Sequence, residues 1–369
     1  MRYLTPPPGF RDYLPEEVEK IRLIEKTIRE TCESFGYREV ITPTLEYADI
    51  ILLGTNIKDD TILYKVIDKD GALLSIRPEF TTSIARLITT RFRDKDGPFR
   101  FYYKGKVFRN IPFQPLMQKE FSQGGAELIG EPSLSGDIEI IALIEEIFER
   151  LNLEVYIEAS HAKIIPAIID ATQAPILESI KSGDFVSIRS HIRDKEILSF
   201  IEALPFLNGG KEVIDKASRY INSIPMLEEP LNQLSELISN LEELGYNKTK
   251  INLGVIRDFE YYTGITFEGY LEDLGLPVLG GGRYDGLLEK FGLPLPATGF
   301  AIGVERVASR IKREESIPDL LIGYSKNKFK EAMRIAKEER KKGLRVEIIL
   351  SDREDELNIK KGRKKIFIC

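Results

Sequence analysis

The chain has 369 residues, 42% of them apolar and 30% charged, and a formal net charge of −6. That length predicts two or three domains with apolar cores, and the acidic balance argues against a broad nucleic-acid surface while leaving room for a local basic patch. Cys32 and Cys369, the two cysteines, form no CxxC pair, so neither a disulfide framework nor a zinc site is indicated, and a reducing cytoplasm is the expected setting. High charge with few Cys and Met and no Trp resembles the composition of a heat-adapted protein. The run Met1–Pro8 breaks any apolar stretch at once, so no signal segment is expected, and no run reaches membrane-spanning length.

Residues 1–15 are Pro-rich and read as extended. Apolar positions at Val18, Ile21, Leu23, Ile24 and Ile28 predict a helix from Pro15 to Phe35, ended by Gly36. Tyr37–Ile41 reads as a strand closed by Thr42-Pro43, with further strands at Thr61–Asp68 and Ala72–Ile76. Thr81–Phe92 reads as a helix, Phe99–Phe108 as an aromatic, β-prone strand, and Lys119–Ile129 as another. Asp137–Leu151 is amphipathic and helical, and a strand begins at Tyr156–Glu158. From about Ala162 to 245 the texture is almost wholly helical, with breaks at Gly183, Gly209-Gly210, Pro225 and Pro230. Strands return at Lys250–Val255 and Ile265–Tyr270, and Thr298–Lys312 runs from strand into helix. Leu320–Tyr324, Lys328–Lys342, Arg345–Leu350 and Lys365–Cys369 form a short βαβ-like unit.

Strands interrupted by helices without regular alternation predict an α+β fold around an antiparallel sheet. The expected division is a core of residues 1–161 and 246–315, a helical insertion at 162–245, and a small C-terminal unit at 316–369.

Two adjacent segments carry the strongest chemical signal: Arg257-Asp258-Phe259-Glu260-Tyr261-Tyr262-Thr263-Gly264 and Gly280-Gly281-Gly282-Arg283-Tyr284-Asp285-Gly286-Leu287. Three glycines let a backbone approach a ligand closely. Arg for a carboxylate, acids for an amine and Tyr rings as walls suit a small zwitterion. The plain alternative is a Gly-rich hairpin turn with solvated charges. Four smaller clusters accompany them: Arg77-Pro78-Glu79-Phe80-Thr81-Thr82, Phe108-Arg109, Gln123-Gly124-Gly125-Ala126-Glu127 and Gly303-Val304-Glu305-Arg306. Each alone reads blandly; Glu79, for instance, sits well as a carboxylate at a helix N-terminus. His161 reads as a strand-end residue and His191 as a surface helix residue, neither in a metal-ligand motif, and neither Cys lies in a nucleophile motif.

In this order and spacing the clusters resemble the catalytic core of the class II aminoacyl-tRNA synthetases of the histidyl type. Gly36–Pro43 is similar to that class's first motif, which forms a dimer interface; Phe108-Arg109 sits where the second begins; Gly299–Arg306 matches the third. The Arg257–Gly264 and Gly280–Leu287 segments resemble the two histidine-specific motifs. The resemblance spans residues 1 to about 312. It implies that Glu79 and Thr81 meet the α-ammonium of histidine and that Gln123 and Arg257 lie near its carboxylate. It implies too that Glu127 and Tyr262 face the imidazole, with Tyr261 and Tyr284 completing the pocket. Arg109 and Arg306 are the triphosphate-holding positions of a working synthetase.

The chain departs from that pattern in several places. The second motif's Phe-Arg-x-Glu reads Phe108-Arg109-Asn110-Ile111, which removes the Glu that helps place adenine. The loop Pro112–Lys119 holds one cation where the family is Arg-rich, which weakens stabilisation of charge on phosphates. The family's Arg-Gly-Leu-Asp-Tyr-Tyr appears as Arg257–Tyr262 without its glycine. About fifty residues follow Pro318, about half an anticodon-binding unit. A kept amino-acid pocket beside a damaged nucleotide site resembles the histidyl-synthetase-like regulatory subunits of ATP phosphoribosyltransferase. That resemblance implies a non-catalytic, histidine-sensing chain, itself a homodimer, that joins a short-form catalytic subunit in a hetero-oligomer; it implies no cofactor, metal or membrane. The alternatives are an active or divergent histidyl-tRNA synthetase, and a paralogue that modifies a protein or binds RNA through the run Lys360–Lys365.

Overall fold

The structure is a computed structural model that describes residues 4–55, 60–112, 118–255, 261–312, 317–351 and 362–369. Two compact units divide at Ile311 and Lys312.

The first unit opens with α1 (Pro15–Ser34). Pro15 occupies its first turn and the Glu17 carboxylate accepts the Leu14 amide at 3.1 Å, so two unfavourable features of a helix start are met at once. Ile21, Ile24 and Ile28 bury one face, each contributing about 1.5–3 kcal/mol of transfer free energy. The helix ends at Ser34, one residue earlier than the periodicity predicts, and the chain turns at Gly36 with φ +82°.

β1 (Arg38–Glu39) follows, then β2 (Leu45–Tyr47), α2 (Ala48–Thr55), β3 (Tyr64–Ile67) and β4 (Leu73–Ile76). The order β2-β4-β3 makes a small antiparallel sheet. α3 (Thr81–Arg91), β5 (Phe99–Phe108), β6 (Glu120–Ile129), α4 (Leu134–Arg150) and β7 (Val155–His161) come next. The helical stretch then runs through α5 (Ile164–Thr172), α6 (Leu177–Ser182), α7 (Phe185–His191), α8 (Lys195–Ala203), α9 (Glu212–Ser218) and α10 (Glu228–Glu243). Between α8 and α9 a two-residue strand, β8 (Asn208–Gly209), pairs with β9 (Thr249–Asn252), so the break expected at Gly209-Gly210 in an almost wholly helical region also extends the sheet. β10 (Ile265–Leu271), β11 (Leu279–Arg283), β12 (Ala297–Gly303) and α11 (Val304–Ala308) complete the unit.

The main sheet has nine strands in the order β1-β5-β6-β12-β11-β10-β7-β9-β8. It corrects the expected antiparallel sheet to a mixed one. Pairing is antiparallel from β5 to β7 but parallel between β1 and β5 and between β7 and β9. In both parallel pairs the strands are separated by a helix or more of intervening chain, which is what a parallel crossover requires.

The two faces of this sheet carry different cores. One face, with Tyr102, Ala126, Leu128, Phe267, Phe300 and Ile302, packs on α1 and α4, and its apolar cluster continues without a break into the helical stretch through Phe200, Leu231 and Leu234. On the other face Phe80, Ile84, Phe101, Tyr103, Tyr261 and Tyr284 form a second cluster with α3. The second unit, described by itself, is a parallel sheet β14-β13-β15 of β13 (Leu320–Tyr324), β14 (Val346–Leu350) and β15 (Lys364–Ile368), with α12 (Phe329–Lys341) burying Ala332 and Ala336 on it.

Among the described residues no helix is long and apolar enough to cross a membrane.

Candidate functional site

The side of the main sheet that carries α3 holds a cavity of about 870 Å³. Its floor follows from strand alternation. In register, Glu127 lies opposite Gly299, Gly125 opposite Ala301 and Gln123 opposite Gly303. Gly299 in turn faces Gly282, and Tyr103 faces Gly125. Gln123, Gly125, Glu127, Tyr103, Gly280, Gly282, Gly299 and Ala301 therefore share one face. A row of residues with little or no side chain leaves a hollow in the centre of the sheet. A Cβ at Gly299 would collide with the Glu127 carboxylate, and one at Gly125 would meet the Tyr103 hydroxyl at 2.6 Å.

The three consecutive glycines are not a turn. Gly280–Gly282 lie within β11, paired on both sides. The signal misread by the hairpin alternative was spacing: Leu279, Gly281 and Arg283 point one way, and the glycines opposite them remove side chains from the cavity floor.

Glu127 is 1% exposed. Thr81 donates to its Oε1 at 2.8 Å and Tyr284 donates its hydroxyl to Oε2. Burial is the main cause that raises its pKa, to about 8; the Tyr284 and Thr81 hydroxyls pull it down and nearby Glu79 pushes it up. Burial likewise holds Tyr103, Tyr261 and Tyr284 well above the ordinary phenol range. The Tyr261 ring lies 4.8 Å from Tyr262 and 5.8 Å, edge-on, from Tyr284. Glu79 is buried and takes the Thr82 amide on both oxygens, at 3.1 and 3.2 Å, so it closes the N-terminus of α3 while lining the cavity. Gln123 is 8% exposed, and its Oε1 has no hydrogen-bond partner among the described residues. That oxygen is left open for a donor in the cavity, while the NH2 of the same amide is the group that suits a carboxylate.

Glu79, Thr81, Gln123, Glu127, Tyr261, Tyr262 and Tyr284 are thus brought to one cavity. Arg257 lies outside the described residues. Arg109 and Arg306 line the same cavity, as do Phe121, Ile111 and Pro112. Arg109 Nε donates to the Pro78 carbonyl at 3.0 Å and its guanidinium sits 5.4 Å from the Phe121 ring centre. Arg306 Nη1 donates to the Pro277 carbonyl at 2.6 Å, and burial lowers its pKa. Asn110 turns away from the cavity to the Thr61 carbonyl at 3.1 Å, while Ile111 faces it.

One expectation fails. Arg283, the guanidinium of the Gly-rich segment, does not present itself to a ligand carboxylate. It is 7% exposed, donates to Asp137 Oδ2 at 2.8 Å and to the Glu131 and Ser133 carbonyls at 3.0 and 2.8 Å, and points to the opposite face from Tyr284. Sequence reasoning also passed over Tyr103 and Phe121, which line the cavity from β5 and β6. Tyr103 was findable from its place across from Gly125; nothing in one sequence announces Phe121. His161, at the end of β7, is buried, bonded to Gln233 at 3.0 Å and lowered by burial to a pKa of about 4; exposed His191 ends α7. Among the described residues no group of His, Cys, Asp or Glu is arranged to hold a metal ion.

A glycine-floored, tyrosine-walled hollow on a sheet of this order is the architecture of a histidyl-type synthetase core. The family model of histidyl-tRNA synthetase matches residues 9–307. A histidyl-tRNA synthetase from Nostoc shares the fold at a TM-score of 0.79, with 23% identity, over 96% of this chain and 88% of that one. A crystal structure described as an ATP phosphoribosyltransferase regulatory subunit/histidyl-tRNA synthetase from Bacillus halodurans aligns at a TM-score of 0.86 and 29% identity, covering 100% of this chain and 99% of the other. An ATP phosphoribosyltransferase regulatory subunit of Moorella thermoacetica is 37% identical over 329 residues, 86% of this chain and 84% of its own length. One of Halothermothrix orenii is 36% identical over 384 residues, 99% of this chain and 92% of its own. The chain belongs to the family of ATP phosphoribosyltransferase regulatory subunits, which has the histidyl-tRNA synthetase fold.

Proposed function

We propose that this chain is a cytoplasmic, non-catalytic regulatory subunit that binds L-histidine in the cavity and pairs with a short-form catalytic ATP phosphoribosyltransferase. The partner performs the first step of histidine biosynthesis, and histidine in the cavity supplies feedback inhibition. Glu79 and Thr81 take the α-ammonium, Gln123 and Arg257 the carboxylate, and Glu127 with Tyr262 and Tyr284 the imidazole. A ring with one N–H donor and one acceptor nitrogen suits a buried carboxyl beside phenols, since each can give or take a proton in a hydrogen bond.

The observation that carries the reading is a contrast between two sets of residues that line one cavity. Seven of the residues assigned to histidine line it, with Glu79, Gln123, Glu127, Tyr261 and Tyr284 buried, and Arg257 lies outside the described residues. At the positions that resemble a synthetase's nucleotide site, Ile111 stands in place of an acceptor, and Arg109 and Arg306 both donate to backbone carbonyls. As allostery the scheme needs histidine to bind two states of the complex unequally, with about 1–3 kcal/mol of coupling.

The test is calorimetric titration with histidine together with histidine-dependent ATP–pyrophosphate exchange on the same sample. Binding without exchange is expected. Robust exchange would make the chain a synthetase, the reading favoured by the retention of Arg109 and Arg306.

We also propose that the chain is a homodimer. The small sheet supports this: register puts Leu45, Tyr47, Tyr64, Val66, Leu74 and Ile76 on one face, and Leu45, Tyr47 and Val66 are 44%, 59% and 43% exposed. An all-apolar sheet face open to water is an interface feature, and it lies beside the segment Gly36–Pro43 that resembles the family's dimer motif.

A further inference from the structure

The cavity wall that bears Glu79 and Thr81 continues directly from β4, and it is tied twice more to the chain beside that sheet. Arg77 makes the first tie. Its amide donates to the Thr44 carbonyl at 2.9 Å and its Nη1 to the Thr42 carbonyl at 3.0 Å, so one residue grips two carbonyls of the segment leading into β2. Its Nε donates to the Lys106 carbonyl of β5 at 2.9 Å. The guanidinium lies 4.1 Å from the centre of the Phe80 ring, and Phe80 stacks at 4.4 Å on Tyr103 in the cavity wall. Space for this grip is left by Gly105, where a Cβ would stand 2.8 Å from Arg77 Nη2. Arg77 is 7% exposed, and no carboxylate pairs with it among the described residues.

The second tie is an ion pair. Arg86, one and a half turns into α3 from Thr81, donates to Glu46 Oε2 at 2.5 Å, and Glu46 on β2 is 7% exposed. Both ties end on the segment 42–46. The residues on its outer side, Ile41, Leu45 and Tyr47, are 89%, 44% and 59% exposed.

We infer that Arg77 and the Arg86–Glu46 pair are positioning groups that make the apolar face of the small sheet respond to occupancy of the cavity. A ligand ammonium drawn to Glu79 and Thr81 pulls on the turn between β4 and α3. The planar guanidinium of Arg77, fixed by two carbonyls and a ring, transmits the movement to Thr42, and Arg86 transmits the movement of α3 to Glu46. A lysine at position 77 keeps the charge but, as a single point donor, cannot hold two carbonyls and a ring face together. This inference rests on the cavity's being a histidine site and names the surface through which that site acts.

Hydrogen exchange on the full chain tests it, with and without saturating L-histidine, with calorimetry on the same preparations. In the wild type, backbone amides of both segments 79–91 and 41–47 are expected to change their exchange rate by about five-fold or more. The double variant Arg77→Lys, Glu46→Gln is expected to bind histidine and to keep the response in 79–91 while losing it in 41–47. A 41–47 segment that stays silent in the wild type, or that responds equally in the double variant, overturns the inference and leaves the histidine site standing. Should the double variant fail to fold, Arg77→Lys alone decides, and an unchanged 41–47 response in it is again an overturning result. A wild-type chain with no calorimetric heat for histidine overturns the cavity's assignment, and the inference with it.

Discussion

Glu127 concentrates the chemistry of the cavity in one carboxyl group. Its two oxygens each accept one hydroxyl of the protein, which leaves lone pairs for a ligand. Replacing it with Ala leaves Thr81 and Tyr284 without their acceptor and, on the proposed binding mode, removes the partner of the imidazole. Histidine affinity should fall by about 10-fold or more, the scale for losing a buried hydrogen bond and leaving its partners unsatisfied, as read by calorimetry. Retained affinity would remove Glu127 from the site. The same residue sets a pH dependence. The folded chain holds a proton on Glu127 up to about pH 8, whereas the unfolded chain releases it near the ordinary value of 4.5. Between those values the folded state binds more protons, so Glu127's contribution to stability falls as pH rises and is lost above about 8. His161, lowered to about 4 from 6.5, acts below pH 6.5 and with the opposite sign. Thermal unfolding between pH 6.5 and 8 therefore reads Glu127 clear of His161: stability should decline across that window in the wild type and decline less in Glu127→Gln.

At the scale of elements the centre of the sheet depends on a buried ion pair whose arginine belongs to the Gly-rich segment that the sequence marks as a candidate ligand site. Arg283 at the end of β11 and Asp137 on α4 are 7% and 1% exposed, and they join sheet and helix across the face opposite the cavity. Arg283→Met leaves the Asp137 carboxyl buried without its cation. A loss of about 3–5 kcal/mol is expected in denaturant unfolding, with the double variant Arg283→Met, Asp137→Leu recovering part of it. Had Arg283 been a ligand residue, the single variant would have lost histidine binding at nearly unchanged stability. Most element positions were legible beforehand, since β5, β6, α1 and α3 fall within a residue or two of their expected limits. Their apolar periodicity and aromatic content are strong, and period is the property a sequence displays best. β11 and β8 were not legible: glycine and asparagine carry no β preference, and both strands exist only because neighbouring strands supply hydrogen-bond partners.

For the molecule as a whole, the apolar face of the small sheet makes a concentration-dependent prediction. Tyr47, 59% exposed at the end of the edge strand β2 and part of that face, becomes a charge in Tyr47→Glu. Burying a carboxylate at an apolar interface is costly, so sedimentation should find a dimer in the wild type and a monomer in the variant. A dimer that survives the substitution would move the interface elsewhere. Sequence alone determined the motifs, their order and the family they resemble, because glycine runs, tyrosine pairs and arginines at fixed spacings are written in the chain. It also displayed the loss of the adenine-placing Glu at Ile111. Tertiary structure decided which of those groups meet. Whether an arginine faces a cavity or a buried aspartate depends on strand parity, and β11 cannot be assigned a parity until its glycines are paired with β10 and β12. The contact of Arg77 with Thr42, across 35 positions, has no local signature at all, because the carbonyl it holds is the same chemical group at every residue of the chain.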